Sequence, residues 1–191
     1  VVQDNGDVLV HFGFVTKIAA KERESRAFVA SVGEDGVVNA WSLKADGYFK
    51  PVLELRCEGS CHETGFSAVA ISKRERLVSG GVDGCVQVWS LRTGRFVAMI
   101  ARHSATVTAL ATDELRPRAG GTHCMLSVVV SGCTDGSLYV SDMDTLEFVR
   151  YFEGHTEEVT AICVLPRQRR VVSASFDGFA TIWNIDTDDR V

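Results

Sequence analysis

Four stretches of this chain superimpose without a gap: SVGEDGVVNAWS (31–42), SGGVDGCVQVWS (79–90), SGCTDGSLYVSD (131–142) and SASFDGFATIWN (173–184). Each opens on a Ser, has an Asp-Gly pair four residues later, and places a Trp six residues after the Asp, except that the third carries Ser141 there. Upstream of each lies a second pattern, His-x3-apolar-Ser/Thr-x-apolar. It reads HFGFVTKI from His11, HETGFSAV from His62, HSATVTAL from His103 and HTEEVTAI from His155. Two independent patterns in the same order, four times over, restrict the chain to an array of similar units.

Each unit translates into strands. The His-led stretch enters a strand such as Val107–Ala111, with β-branched residues and alternation. A second strand ends near the Ser, as in Leu77–Ser79. Asp-Gly then marks a tight hairpin, because Gly takes φ > 0 at little cost and Asp tolerates it. A third strand follows, Cys85–Trp89 in the second unit, and a weaker fourth, as in Arg95–Ile100 or Phe148–Phe152. Helical periodicity is nowhere sustained. Four short antiparallel strands in a unit of roughly 40–50 residues is the composition of a propeller blade.

The repeat resembles the WD-repeat family over nearly the whole chain. The elements that carry the resemblance are Gly154-His155 and the pairs Trp41-Ser42, Trp89-Ser90, Ser141-Asp142 and Trp183-Asn184. No unit keeps an intact Trp-Asp pair, a drift common in the family. The resemblance implies a hydrogen-bonded tetrad in each blade, His to Asp or Ser and Ser to the Trp indole, since buried polar side chains must find partners. The implied tetrads are His11, Ser31, Asp35 and Trp41; His62, Ser79, Asp83 and Trp89; and His155, Ser173, Asp177 and Trp183. The third set, His103, Ser131 and Asp135, lacks its Trp, which puts the packing of that blade in doubt.

The expected fold is thus all-β, a WD-type β-propeller of four four-stranded antiparallel blades. The blades span about 11–56, 62–101, 103–153 and 155–191. The outer strand of the last is either missing or supplied by residues 6–10. Because the family usually needs about seven blades to complete a circle, the chain is expected to be part of a larger propeller. Residues 112–124 are expected to form a surface loop. His103 precedes Asp135 by 32 residues, against 21 to 24 for the equivalent pairs, and Pro117 and Gly120-Gly121 break strands.

The rest of the sequence narrows the chemistry. The recurrence of Ser, His and Asp invites a hydrolase reading, but an enzyme needs one nucleophile and not four, and no Gly-x-Ser-x-Gly elbow is present. No Gly-x4-Gly-Lys-Ser/Thr phosphate loop exists. No catalytic residue, cofactor or small-molecule substrate is expected. The six cysteines are irregularly spaced and read as reduced thiols of a cytoplasmic or nuclear protein. Cys57-x3-Cys61-His62 has no second pair at zinc-finger spacing, so no metal is expected. A net charge of −5 gives no general pull toward nucleic acid, and no apolar run approaches the roughly 20 residues that cross a bilayer.

Function is therefore sought on the two faces of the blades. On the face carrying the Asp-Gly turns, the residue before each turn Asp is Glu34, Val82, Thr134 or Phe176. The third residue after each His is Phe14, Gly65, Thr106 or Glu158. Both sets are expected to point toward the central opening, where Phe14, Glu34, Glu158 and Phe176 combine aromatic and acidic character suited to a basic partner segment. The opposite loops, KERESR (21–26), SKRER (72–76), RPRAGGTH (116–123) and PRQRR (166–170), are net basic. Their Arg74, Arg76, Arg167, Arg169 and Arg170 form an alternative rim for an acidic partner. The expected function is a non-catalytic protein–protein interaction scaffold or subunit of a complex. The alternatives are a substrate receptor of a cullin-type ubiquitin ligase, whose docking motif Trp89-Ser90-Leu91-Arg92 approaches without its Asp, and the propeller of a larger enzyme or membrane-traffic protein.

Overall fold

A computed structural model describes residues 11–23, 26–44, 49–56, 65–117 and 125–187. His62, the stretch 6–10 and the Cys57–Cys61 segment lie outside these residues. Among the described residues the regular elements are all strands. The first sheet has β1 (Val15–Arg23), β2 (Arg26–Gly33), β3 (Val37–Lys44) and β4 (Phe49–Arg56) in that order. The second has β5 (Phe66–Ile71), β6 (Arg76–Gly81), β7 (Cys85–Ser90) and β8 (Arg95–Arg102). The third has β9 (Val107–Leu115), β10 (Leu126–Cys133), β11 (Leu138–Asp142) and β12 (Phe148–Phe152). The last, with β13 (Val159–Leu165), β14 (Arg170–Ser175) and β15 (Ala180–Asn184), has three strands among the described residues.

Every sheet is an antiparallel meander, which follows from short connections between consecutive strands. The Asp-Gly turns differ in detail from the expectation. The turn closes one residue earlier, with Gly36 N–H donating to Gly33 C=O at 3.2 Å and Gly84 N–H to Gly81 C=O at 3.1 Å. Only the Gly takes positive φ, 66° at Gly36 and 78° at Gly84. The Asp instead accepts a hydrogen bond from the backbone N–H two residues on, at 3.1 Å for Val37 on Asp35 and 2.9 Å for Phe179 on Asp177. Asp is thus selected by its side-chain acceptor and not by its tolerance of left-handed backbone.

A β-bulge recurs at the start of each inner strand. The register shifts between Val15 and Lys17, Phe66 and Ala68, and Val159 and Ala161, and at the matching point of β9 opposite Gly132 and Cys133. The residue left unpaired is Thr16, Ser67, Thr108 or Thr160, which explains the invariable hydroxyl in the His-led pattern. A bulge re-aims its side chain. Ser67 Oγ donates to Val107 C=O in the next sheet at 2.5 Å, and Thr108 Oγ1 to Val159 C=O in the one after at 2.6 Å. The Val at the start of the next inner strand plugs against a glycine. A Cβ on Gly80 would lie 2.5 Å from Val107 Cγ1, and one on Gly132 2.6 Å from Val159 Cγ1.

The inner strands pack in the order β1, β5, β9, β13, so the sheets succeed one another as an arc. Apolar cores fill the spaces between neighbours. Phe28, Leu53, Leu77 and Leu91 lie between the first and second sheets, Val78, Val88, Ile100 and Met143 between the second and third, and Leu115, Val140, Phe152 and Trp183 between the third and fourth. The two ends are different. Ile18 on β1 is 69 % exposed, and Ala161, Cys163 and Ala180 on the last sheet are exposed.

The expected surface loop at 112–124 is in part strand. β9 continues to Leu115, pairing Thr112 with Val129 and Leu115 with Leu126. Pro117 follows this paired stretch, and the carboxylates of Asp113 and Glu114 within it are held by cations of the second sheet. Lys73 pairs with Asp113 at 2.8 Å and Arg74 with Glu114 at 3.4 Å, while Leu115 is fully buried. Residues 118–124 lie outside the described part.

Candidate functional site

The repeated His, Ser, Asp and Trp form a graded series. In the last sheet the set is complete. His155 Nδ1 donates to Asp177 at 2.7 Å, Ser173 Oγ donates to His155 Nε2 at 2.7 Å, and the Trp183 indole N–H donates to Ser173 Oγ at 2.7 Å. In this pattern the Nδ1 side of the ring serves the carboxylate and the Nε2 side the hydroxyl. In the first sheet His11 bonds Asp35 at 3.0 Å and Ser31 at 2.7 Å, but no hydrogen bond joins Ser31 to Trp41. In the second, Trp89 donates to Ser79 at 2.9 Å; the implied partner His62 is not described.

The carboxylates also hold the turns. Burial works against the charge of Asp35. The His11 ring N–H and the Phe12 and Val37 backbone N–H groups outweigh it and keep its carboxyl below the usual range. Asp177 is lowered in the same way by Phe179, His155 and Thr156.

The third sheet departs from the expected set. His103 Nε2 accepts from Ser131 at 2.7 Å, but its Nδ1 faces Ser137 Oγ at 3.3 Å and not Asp135. Asp135 turns to Ser104 Oγ at 2.5 Å and the Ser137 backbone N–H at 2.9 Å, and Cys133 also donates to it. The absent Trp leaves no hole. Tyr139 lies flat on the His103 ring, centroids 4.2 Å apart, and Phe148 and Tyr151 pack edge-on against Tyr139 at 5.8 and 5.1 Å. The doubt over this blade's packing is answered by residues the repeat comparison did not single out. Ser141 itself is buried and reaches Ile100 C=O at 3.4 Å.

A Ser-His-Asp relay of this geometry resembles that of a hydrolase, so access decides the chemistry. Ser173 and Trp183 are each 1 % exposed. The Ser173 hydroxyl is already committed to His155 and covered by the indole, leaving no path for a substrate carbonyl.

On the upper face, where the Asp-Gly turns lie, the two aligned sets of residues meet pairwise. Glu34 N–H donates to Phe14 C=O, Val82 to Gly65, Thr134 to Thr106 and Phe176 to Glu158, each at 3.0 Å. Phe14 is 79 % and Phe176 73 % exposed, beside exposed Glu34 and half-buried Glu158. Phe12 and Phe179 add further exposed aromatic surface at the same ends of the arc.

On the lower face two of the five expected rim cations, Arg74 and Arg169, are paired with carboxylates. Arg74 bonds Asp144 at 2.7 Å as well as Glu114, Arg76 donates to the Met143 carbonyl, and Arg169 clasps Asp186 through Nε at 2.8 Å. Arg169 Nη1 also donates to Arg116 C=O at 2.6 Å. Arg167 remains exposed, and Arg170 begins β14. No cluster of His, Cys, Asp or Glu among the described residues is arranged to hold a metal.

Comparison with known proteins follows this geometry. The family described as WD domain, G-beta repeat matches residues 51–90 and 146–184. Each matched stretch runs from the outer strand of one sheet through the three inner strands of the next, so the sequence repeat straddles two sheets. A U3 snoRNP-associated protein-like protein of Arabidopsis thaliana is 28 % identical over 96 % of this chain and 38 % of its own length. A DDB1- and CUL4-associated factor 11 homolog of Caenorhabditis elegans is 27 % identical over 83 % of the chain and 33 % of its own length. Transducin-like enhancer protein 2 of Mus musculus is 26 % identical over 80 % and 19 %. The chain thus spans well under half the length of these relatives. The crystal structure of the computationally designed Ika4 protein superimposes with a TM-score of 0.69 and 28 % identity, covering 92 % of this chain and 93 % of that one. The complete tetrad of the last sheet with its partial counterparts, the meander sheets and these matches together establish that the chain belongs to the WD-repeat family.

Proposed function

We propose that the chain is a non-catalytic arc of a larger propeller that binds a basic segment of a partner protein on its upper face. The observation that carries this reading is the backbone pairing of Phe176 with Glu158 and of Phe14 with Glu34. Each pair ties a residue of a hairpin turn to one just ahead of an inner strand, and so brings an exposed ring and a carboxylate to adjoining backbone positions. An aromatic anchor supplies buried area and the carboxylate selects Arg or Lys. The buried thiols of Cys85 and Cys133, neither in a disulfide, accord with a cytoplasmic or nuclear setting.

A pull-down from a lysate tests the face. Phe176→Ala should leave folding intact and weaken capture of the principal partner by about 2 kcal/mol, a typical hot-spot loss. Capture should also weaken with salt. If capture survives Phe176→Ala but is lost on reversing Arg169 and Arg170 to Glu, the upper-face reading fails.

A second reading, an adaptor of a cullin-type ubiquitin ligase, is favoured by the relative named a DDB1- and CUL4-associated factor 11 homolog and by exposed Arg92 following Trp89. Recovery of a cullin complex that depends on Arg92 and not on Phe176 would select it.

A further inference from the structure

The lower face contains a cleft of about 430 Å3 between the first and second sheets. Its base is apolar, formed by Phe28, Val52 and Leu91, of which Phe28 and Leu91 are buried. Its rim carries three exposed cations, Arg26, Lys50 and Arg92. They are brought together by topology. Arg26 begins β2, Lys50 lies at the start of β4 and Arg92 stands in the turn between β7 and β8, and all of these ends fall on one face of a meander.

An apolar base and a rim of unpaired cations coincide in this cleft. Elsewhere on the lower face Lys73 is paired with Asp113, Arg74 with Glu114 and Asp144, and Arg169 with Asp186. None of Arg26, Lys50 and Arg92 has an ion pair among the described residues, and Glu75 is the single carboxylate in the lining. Uncompensated cations around an apolar base suit a ligand that is both anionic and apolar.

We propose that this cleft binds an acidic peptide segment of a partner protein, an extended stretch in which carboxylate and aliphatic side chains alternate. Successive side chains of an extended chain point to opposite sides, so the carboxylates face the rim cations while the aliphatic groups descend to the half-buried Pro51 and Val52. A nucleic acid fits less well. Phe28 is buried and offers no face on which a base could stack. The inference rests on the reading of the chain as a protein-binding scaffold but not on the upper-face site.

Fluorescence anisotropy on the intact protein tests it with three labelled probes: a peptide alternating Glu and Leu, a matched peptide alternating Lys and Leu, and a single-stranded oligothymidylate. The acidic peptide should bind and the basic one should not. Arg26→Glu and Arg92→Glu should each weaken the acidic peptide by about tenfold, and Glu75→Gln should strengthen it by roughly threefold. Salt near 1 M, where the screening length is about 3 Å, should abolish the difference between variants. Arg167→Glu, on the same face but away from the cleft, and Phe176→Ala should leave the peptide's affinity unchanged. No binding of the acidic peptide, an equal loss with Arg167→Glu, or tighter binding of the oligonucleotide lost on the same substitutions would each overturn the proposal. Loss of the cellular partners on Phe176→Ala with peptide affinity intact would separate the two sites.

Discussion

At the scale of single residues, the third blade shows how one substitution in a repeat is absorbed by others. Ser141 stands where the other blades have Trp, and Tyr139 takes up the space by lying on His103. Ser141→Trp is therefore expected to destabilise the protein by roughly 1–3 kcal/mol, the usual cost of overpacking. Adding Tyr139→Thr, the residue type at the matching place in the last blade, should recover much of the loss. Thermal melts of the single and double variants decide this, and a stabilising Ser141→Trp would show that the pocket is vacant. His103 carries a second consequence. Burial holds its pKa down to about 4, only partly offset by Asp135. The ring is neutral in the folded state while the unfolded chain titrates near 6.5, so the unfolded state binds the extra proton between these values. The contribution is full above about pH 6.5 and is lost as pH falls toward 4, on the order of 3 kcal/mol in all. Chemical denaturation at pH 7 and pH 5 should show this loss, and His103→Gln should flatten it.

At the scale of elements, the bulge at the start of each inner strand does more than bend it. In the second and third sheets it turns a hydroxyl out of the ladder toward the next sheet, as Ser67 and Thr108 show, whereas Thr16 in the first reaches Val32 C=O of its own sheet at 3.2 Å. Thr160 occupies the same place in the last sheet, where its hydroxyl reaches Ala174 C=O at 3.2 Å within its own sheet. Thr108→Val should therefore cost about 1–3 kcal/mol by leaving the Val159 carbonyl without its donor, and Thr160→Val distinctly less. Equal losses in urea unfolding would mean that the bond between sheets carries no weight. The hairpin of β9 and β10 equals that of β1 and β2, with strands of nine and eight residues, and exceeds those of the second and last sheets for a related reason. Its tip is fastened to the second sheet by Lys73 and Arg74 and to the core by Leu115, contacts that turn a charged sequence into paired strand.

At the scale of the whole molecule, interior sheets are covered on both faces and the terminal sheets on one. Phe12, Phe14, Val15 and Ile18 at one end and Phe176 and Phe179 at the other are exposed apolar groups of a size that a solvated surface rarely collects. The 191-residue chain produced by itself should self-associate with rising concentration. Ile18→Lys should reduce this without lowering the melting temperature, because Ile18 buries little within the chain. Sedimentation velocity across a concentration series is the measurement, and a monomer at all concentrations for both proteins would contradict it.

The amino-acid sequence by itself determined what depends on contacts within a hairpin or within one sheet. The Ser, Asp-Gly and Trp spacing set the turns, the pairing of the second and third strands, and the His155-Ser173-Asp177-Trp183 network, because those partners sit at fixed offsets in a regular ladder. The pairing of Phe14 with Glu34 and of Phe176 with Glu158 followed for the same reason. Tertiary structure alone decided what depends on how sheets lie against each other. It gave Ser67 and Thr108 their acceptors in the next sheet, covered His103 with Tyr139, and brought Arg74 to Asp144 across 70 residues of sequence, while Arg26, Lys50 and Arg92 have no ion pair among the described residues. A charged loop read in isolation shows its own sign. The field it presents is set by carboxylates on neighbouring sheets, whose positions are fixed by packing and not by the local repeat.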